Sequence, residues 1–392
     1  MIQFSEVEIV LPDCIVSRGT VVIEGDRIVE VTPLSVAPDP GASHFRLPGH
    51  YVVPGFVDVH VHGVDGNDAL DGGDAVRRIA RLLPKFGVTA FCPTSIACAP
   101  PALRDMLAGI RAARERPDEG AARVLPAHLE SNFINPDFKG AQPLECLRVP
   151  AEASAEGVFT GAEILAEIAA ARDEVGIVTL APELDGAIDL IKTLVAQGHR
   201  VSLGHSGATY EEALAGIEAG ATQATHLFNR MTPLAHRAPG LAGAVLAHED
   251  VAAEIVCDGV HVHPAVIRVA LAAKTAAKVM AITDGTAGSG RPRGSKTSLG
   301  GRSITVGDVA YLDDGTIAGS VLTMDQAFRM LVRTAGVSIN EAATICSTTP
   351  ARALQLQGLG VIIPGAIADI AVLDPDLRVT HTCISGRLVR ST

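Results

Sequence analysis

The sequence predicts a (β/α)8 barrel carrying a small β-sandwich built from both chain ends. Three observations lead there. Through the middle of the 392 residues, apolar strand-like runs alternate with amphipathic helical stretches. Both ends instead hold short strands broken by turn residues. Aromatic residues make up only 3% of the chain, with no Trp, while small and branched aliphatics bring the hydrophobic share to 47%. That is the composition of buried parallel strands under Ala-rich helices.

In chain order, Thr20–Glu24 and Arg27–Val31 flank a Gly25-Asp26 hairpin turn. The C-terminal end mirrors this, with Ile370–Leu373, a Pro375-Asp376 turn, Arg378–Thr382 and a turn at Gly386. Between them, strand candidates end near His62, Thr94, Glu130, Glu183, His205, Asn229, Asp258 and Asp284. Leu103, Met106, Leu107 and Ile110 keep one helical stripe, as do Tyr210, Ala213, Leu214 and Ile217. Thr209 with Glu212 opens the latter helix as a capping box. Later helices are expected over 324–334 and 340–356. The expected units are residues 1–53 and 357–392 for the sandwich and 54–356 for the barrel. The same alternation also permits a doubly wound open sheet.

Composition sets bounds on function. A net charge of −12 disfavours nucleic acid or an anionic membrane as partner. Seven scattered cysteines without a Cys-x-x-Cys read as reduced, packed thiols of a cytoplasmic protein. Met1–Glu8 has no basic run leading into an apolar one, so no secretory signal is expected, and no apolar run reaches membrane-spanning length.

The chemistry lies at the strand ends. His60 and His62 are two apart, so on a strand they face the same way and form a chelate. The third strand ends in Glu130, the fifth in His205, the sixth bears His226 and the eighth ends in Asp284. Barrel active sites are built at that C-terminal rim. Four imidazoles and two carboxylates suit zinc, iron or manganese, and are enough for two ions bridged by Glu130. His128 shares a face with Glu130 but sits deeper, as a packed or ligand-supporting histidine. His44, His50, His199, His248 and His381 carry no spacing signal, and Glu183 and Cys257 read as structural.

Longer motifs extend this pattern: Pro54–Gly63, His128-Leu-Glu, Gly204-His-Ser, Ala224–Asn229, Asp258–Pro264, Thr283-Asp-Gly, Ala318-Gly-Ser and Gly360–Ile370. Across almost the whole chain they resemble the amidohydrolase superfamily, and within it the N-acetylglucosamine-6-phosphate deacetylases. The resemblance implies a metal-dependent hydrolase barrel with one or two divalent ions, zinc foremost. It implies amide hydrolysis of a small anionic N-acyl substrate, a sugar phosphate, by a homodimer. Asp284 would orient water and shuttle its proton to the departing amine. Gln142 would offer an N–H to the acyl oxygen, and phosphate would be gripped by His261, Arg237 and the backbone around Asn229, the Arg237 loop crossing a dimer interface. Arg230 adds a cation.

The sequence departs from the family's pattern at Ser131-Asn132 in place of Gly-Pro, Gln142 in place of histidine, Arg230 in place of a small residue, and Gly285-Thr286 in place of Ala-Met. These departures are expected to lie in the substrate pocket. They keep open a deacylase or cyclic-amide hydrolase for another anionic amide, and, from a different class, a metal-free assembly protein of this fold.

Overall fold

The computed structural model describes residues 1–34, 40–151 and 158–390. Eight parallel strands form the barrel: Phe56–Val61, Val88–Ser95, Ala127–Glu130, Val175–Leu180, Arg200–Leu203, Gln223–Ala224, Ala252–Val256 and Val279–Ile282. Each pairs with the next in sequence order. Backbone bonds from Asp284 N–H to His60 O (3.0 Å) and Gly63 N–H to Gly285 O (2.8 Å) tie the eighth strand to the first. The ring therefore closes, and the open-sheet alternative falls. Strands one and two are buried at every position, which explains why they read as continuous apolar runs.

The helices cover the barrel with the faces their sequences predict. Pro100–Glu115 buries Leu103, Met106, Leu107 and Ile110. Tyr210–Glu218 starts at the Thr209–Glu212 capping box and buries Ala213 and Ile217, while Tyr210 and Leu214 stay half-buried. Met324–Arg333 packs Phe328 on Phe56 with ring centres 5.5 Å apart. The helix expected over 340–356 is instead three segments, Ile339–Ala343, a π-helical Thr344–Thr348 and Thr349–Ala353. Pro350, which has no N–H to give the turn before it, lies just beyond the π segment.

The two chain ends share one eight-stranded sheet. Its C-terminal strands Ile370–Leu373, Val379–Ile384 and Arg387–Arg390 join through Tyr51–Pro54 to Ile2–Val10, Ile15–Glu24 and Arg27–Thr32, and Ser43–Arg46 pairs on Ile2–Val10. Phe4, Val21, Ile23, Ile28, Val52, Ile370, Val372 and Cys383 make its own core. Ser391 and Thr392, the last residues of the expected C-terminal unit, lie outside the described residues. The apolar run Tyr51–Val61 is thus two strands in two sheets, broken at Gly55, where a Cβ would lie 2.3 Å from the Thr89 side chain.

One element was not expected. After barrel strand eight, Lys296–Leu299, Arg302–Val306 and Ala310–Leu312 form an antiparallel three-stranded sheet. The Gly300-Gly301 loop between its first two strands is a two-residue hairpin signal. Leu299, Ile304, Ala310 and Leu312 pack there on Ile96 and Ala318. Among the described residues no helix is long and apolar enough to cross a membrane, and all seven cysteines are free.

Candidate active site

Barrel strands end in side chains that point into one cavity of about 410 Å³ at the C-terminal rim. Strand one delivers His60 and His62 with their Nε2 atoms 3.2 Å apart. Strand three delivers Glu130, whose Oε1 lies 2.7 Å from His205 Nε2 and 2.8 Å from His226 Nε2. Those two ring nitrogens are themselves 3.1 Å apart. The other Glu130 oxygen, Oε2, faces His62 Nε2 at 3.6 Å, so the carboxylate spans both histidine pairs. Asp284 Oδ1 sits 3.2 Å from His62 Nε2 and 3.5 Å from His60 Nε2.

The backbone is bent to bring these groups in. His205, His226 and Asp284 all adopt left-handed φ, at 48°, 31° and 48°. Such non-glycine conformations are held only where the surroundings over-determine them, and they cluster at functional sites. Gly204, just before His205, allows the close approach, since a Cβ there would lie 2.8 Å from Thr225 Cβ. The loop after strand five is pinned by Glu183, which accepts from Ser206 Oγ at 2.7 Å and Gly207 N–H at 2.6 Å.

The electrostatics make this a cation site. Burial pushes His60 down to about 4, leaving a neutral ring with a lone pair to offer. Burial works the same way on His226 and His62. There the bond and field of Glu130 overcome it and raise His226 to about 9, and Asp284 with Glu130 raises His62. Burial also opposes ionisation of Glu130 and Asp284, yet the imidazoles outweigh it and hold both carboxyls below their ordinary values. Two buried carboxylates among facing ring nitrogens call for positive charge. A divalent ion would supply it in place of protons on the histidines. Among the described residues, three overlapping sets have ligand atoms within 4.8 Å of one another: His60, His62 and Glu130, and Glu130, His205 and His226, both sharing the cavity, and His60, His128 and Glu254 beneath it. These residues fit a divalent metal.

The remaining expected residues divide. Gln142, Asn229, Arg230 and His261 line the cavity. Gln142 is held as a fixed donor: Ala97 N–H donates to its Oε1 at 2.7 Å, and its Nε2 donates to Glu130 Oε2. His261 is set by Asp258, which takes its Nδ1 at 2.6 Å and the backbone N–H groups of Val260 and His261 at 2.8 Å. Arg237 lies on the exposed segment 233–238 and is not among the cavity-lining residues.

Of the six departing residues, Ser131, Asn132 and Thr286 turn their side chains away from the cavity, which corrects the expectation. Ser131 Oγ turns back to Thr179 O, Asn132 Nδ2 bonds Cys98 O at 2.8 Å and Cys146 O at 2.7 Å, and Thr286 Oγ1 bonds Ser320 O at 3.0 Å. All three are buried, satisfying backbone carbonyls of neighbouring segments. Only Gln142 and Arg230 change the cavity wall.

Sequence reasoning missed two carboxylates. Asp58, in strand one, takes Thr283 Oγ1 at 2.6 Å and Thr283 N–H at 3.2 Å, clamping strand eight to strand one. Glu254, fully buried in strand seven, lies 3.0 Å from His60 Nδ1. A single acid inside an apolar strand was the available signal, since charge is buried only when partnered. His128 behaves as expected, bonding Val59 O at 3.0 Å and Thr179 Oγ1 at 2.7 Å beneath the site.

Comparison with known proteins agrees. The sequence profile of the amidohydrolase family matches residues 51–389. An N-acetylgalactosamine-6-phosphate deacetylase of Escherichia coli O157:H7 is 34% identical over 92% of this chain and 93% of its own. The N-acetylglucosamine-6-phosphate deacetylase of Rattus norvegicus is 37% identical over 87% and 84%. Among solved structures, the N-acetylglucosamine-6-phosphate deacetylase of Pasteurella multocida superposes with TM-score 0.90 at 27% identity, covering 99% of each chain. A Mycobacterium smegmatis deacetylase variant solved with N-acetyl-D-glucosamine-6-phosphate gives 0.88 at 32% identity, covering 99% of this chain and 98% of that one. With this rim of candidate ligands on a closed barrel, the chain belongs to the amidohydrolase family, in the branch of the N-acetylglucosamine-6-phosphate deacetylases.

Proposed function

We propose that this protein hydrolyses the acetamide of an N-acetylhexosamine 6-phosphate, with N-acetylglucosamine 6-phosphate the first candidate, to acetate and the amino-sugar phosphate. The observation that carries this is Asp284 beside two histidine pairs bridged by Glu130, on a cavity whose wall includes Arg230 and His261. His60, His62, Glu130, His205 and His226, with Asp284 as a weak further ligand, would hold one or two ions, zinc first and iron or manganese next. When bound, such an ion lowers the pKa of a water and polarises the acyl oxygen.

The chain's own groups do the rest. Asp284, held ionised by His60 and His62, accepts the proton of the attacking water and returns it to the amine nitrogen. An amine leaves poorly until protonated, so this second transfer completes the reaction. Gln142 lines the cavity with its Nε2 donating to Glu130, and there it can donate to the carboxylate or to an acyl oxygen. Arg230 supplies a full charge to the phosphate, His261 a ring nitrogen, and the backbone around Asn229 completes the grip. Arg237, exposed and away from the cavity of its own chain, fits the reading that its loop reaches a partner's site in a homodimer. A cytoplasmic location accords with the free, mostly buried thiols.

A second reading is favoured by Gln142 alone: another small anionic N-acyl substrate whose carbonyl needs no imidazole donor. Both are tested by measuring amine release from N-acetylglucosamine 6-phosphate, N-acetylgalactosamine 6-phosphate, unphosphorylated N-acetylglucosamine and a set of N-acyl amino acids. The sugar phosphates should give the highest kcat/KM. Faster turnover of an N-acyl amino acid would overturn the leading reading and leave the second.

A further inference from the structure

Beneath the cavity floor lies an ionisable group to which the reaction above gives no work. Glu254 sits in barrel strand seven, Ala252–Val256, among Ala253 and Ile255, with no exposed surface. Burying a carboxylate there is costly unless hydrogen bonds compensate. Its Oε2 takes His60 Nδ1 at 3.0 Å and lies 3.4 Å from the His226 backbone N–H. Its own backbone carbonyl accepts Leu227 N–H at 2.7 Å. Its Oε1 has no hydrogen-bond partner and faces His128 Nδ1 at 3.6 Å.

This arrangement makes the two histidine pairs unequal. His205 Nδ1 donates to a neutral carbonyl, Phe138 O, at 2.8 Å, and the Nδ1 atoms of His62 and His226 have no partner. His60 alone is backed by a carboxylate. A carboxylate accepting Nδ1–H fixes the tautomer with the lone pair on Nε2, locks the ring plane and makes that nitrogen a better donor to a metal. Stacked edge-on against His60, with ring centres 4.5 Å apart, His128 blocks the alternative ring position.

We propose that Glu254 is a positioning residue that selects the tautomer of His60 and thereby sets the affinity of the His60–His62 pair for a second divalent ion, while the Glu130–His205–His226 set binds its ion almost independently of it. The inference rests on the metal-dependent reading above, but concerns ion binding alone.

The test is zinc binding by chelator-stripped protein, followed by equilibrium dialysis at buffered free zinc, for wild type, Glu254→Gln and Glu254→Leu, with cobalt(II) absorption as a second readout. Loss of an outer carboxylate of this kind costs about 10–100-fold in metal affinity. The weaker of two binding steps should fall by that factor in Glu254→Gln, which keeps shape and an acceptor, and further in Glu254→Leu. The tighter step should stay unchanged. Circular dichroism melts of the zinc-loaded variants guard against misfolding, and in a His60→Ala background Glu254→Gln should have no further effect on zinc binding. Equal weakening of both steps, no weakening of either, or a wild type that takes up only one ion would overturn the proposal. A wild type that binds two ions yet releases no amine from any sugar phosphate would instead count against the deacetylase reading and leave Glu254's role standing.

Discussion

Asp284→Asn isolates proton transfer from everything else in the site. Asn has nearly the same shape and tolerates the left-handed φ of 48° found here, so the backbone need not move. It cannot accept a proton. In the native protein, burial favours the neutral acid, but His60 and His62, 3.5 and 3.2 Å away, outweigh burial and keep Asp284 ionised. The base is therefore ready at neutral pH, and the variant forfeits it outright. General acid–base groups contribute about 10²–10⁴-fold, equivalent to about 3–5 kcal/mol of barrel-rim transition-state stabilisation. Steady-state amine release should show kcat down by that factor with KM little changed. Zinc content should match wild type, because Glu130, His205 and His226 are untouched. A variant retaining more than a tenth of the wild-type rate would refute the assignment.

Three further outcomes are expected. Stripping metal with a chelator should abolish turnover and lower the Tm, since an ion held at a hundred times its Kd adds about 2.7 kcal/mol; zinc, iron or manganese should restore both, and full activity at negligible metal content would refute the site. Gln142→His should raise hydrolysis of N-acetylglucosamine 6-phosphate if an acyl-oxygen donor is what the cavity lacks, a donor being worth about 10²–10³ in rate. A fall in that rate, with an N-acyl amino acid turned over well by wild type, would make Gln142 a specificity residue for another substrate. Asn132→Ala should lower stability by about 1–3 kcal/mol in denaturant titration, because the Cys98 and Cys146 carbonyls lose their donor. A tenfold change in KM with an unmoved midpoint would put Asn132 back in the substrate pocket.

The convergence of His60, His62, Glu130, His205, His226 and Asp284 was readable because a barrel strand exposes its last residues at one rim, where spacing aligns them. Side chains one or two positions further on were not readable in the same way. After Glu130 the chain turns away, and Ser131 and Asn132 bond backbone carbonyls instead of lining the cavity. Thr286 is drawn to Ser320 on the segment that follows the three-stranded sheet. That sheet itself was hidden because its strands are only 3 to 5 residues long and two of them are largely polar, although its glycine pair was a turn signal. Asp58 and Glu254 were passed over because a lone acid breaks no periodicity. Only the partners reached across the barrel, Thr283 and His60, give them meaning.

The Asp58–Thr283 clamp joins residues 225 positions apart, and the centre straddles the seam it closes. His60 and His62 emerge early in synthesis, but two imidazoles alone hold an ion poorly. Asp284 and the backbone bond to His60 O arrive only when the last barrel strand docks. On the proposed reading, capture of an ion at His60 and His62 would act as a latch thrown at the end of assembly rather than a seed at its start. The latch also works in reverse. A breath that parted only the first and eighth strands would release an ion held at His60 and His62 and carry Asp284 away with it, leaving the Glu130–His205–His226 set in place. Activity would then vanish while most of the barrel still stood, and added zinc would slow that loss before it moved global unfolding.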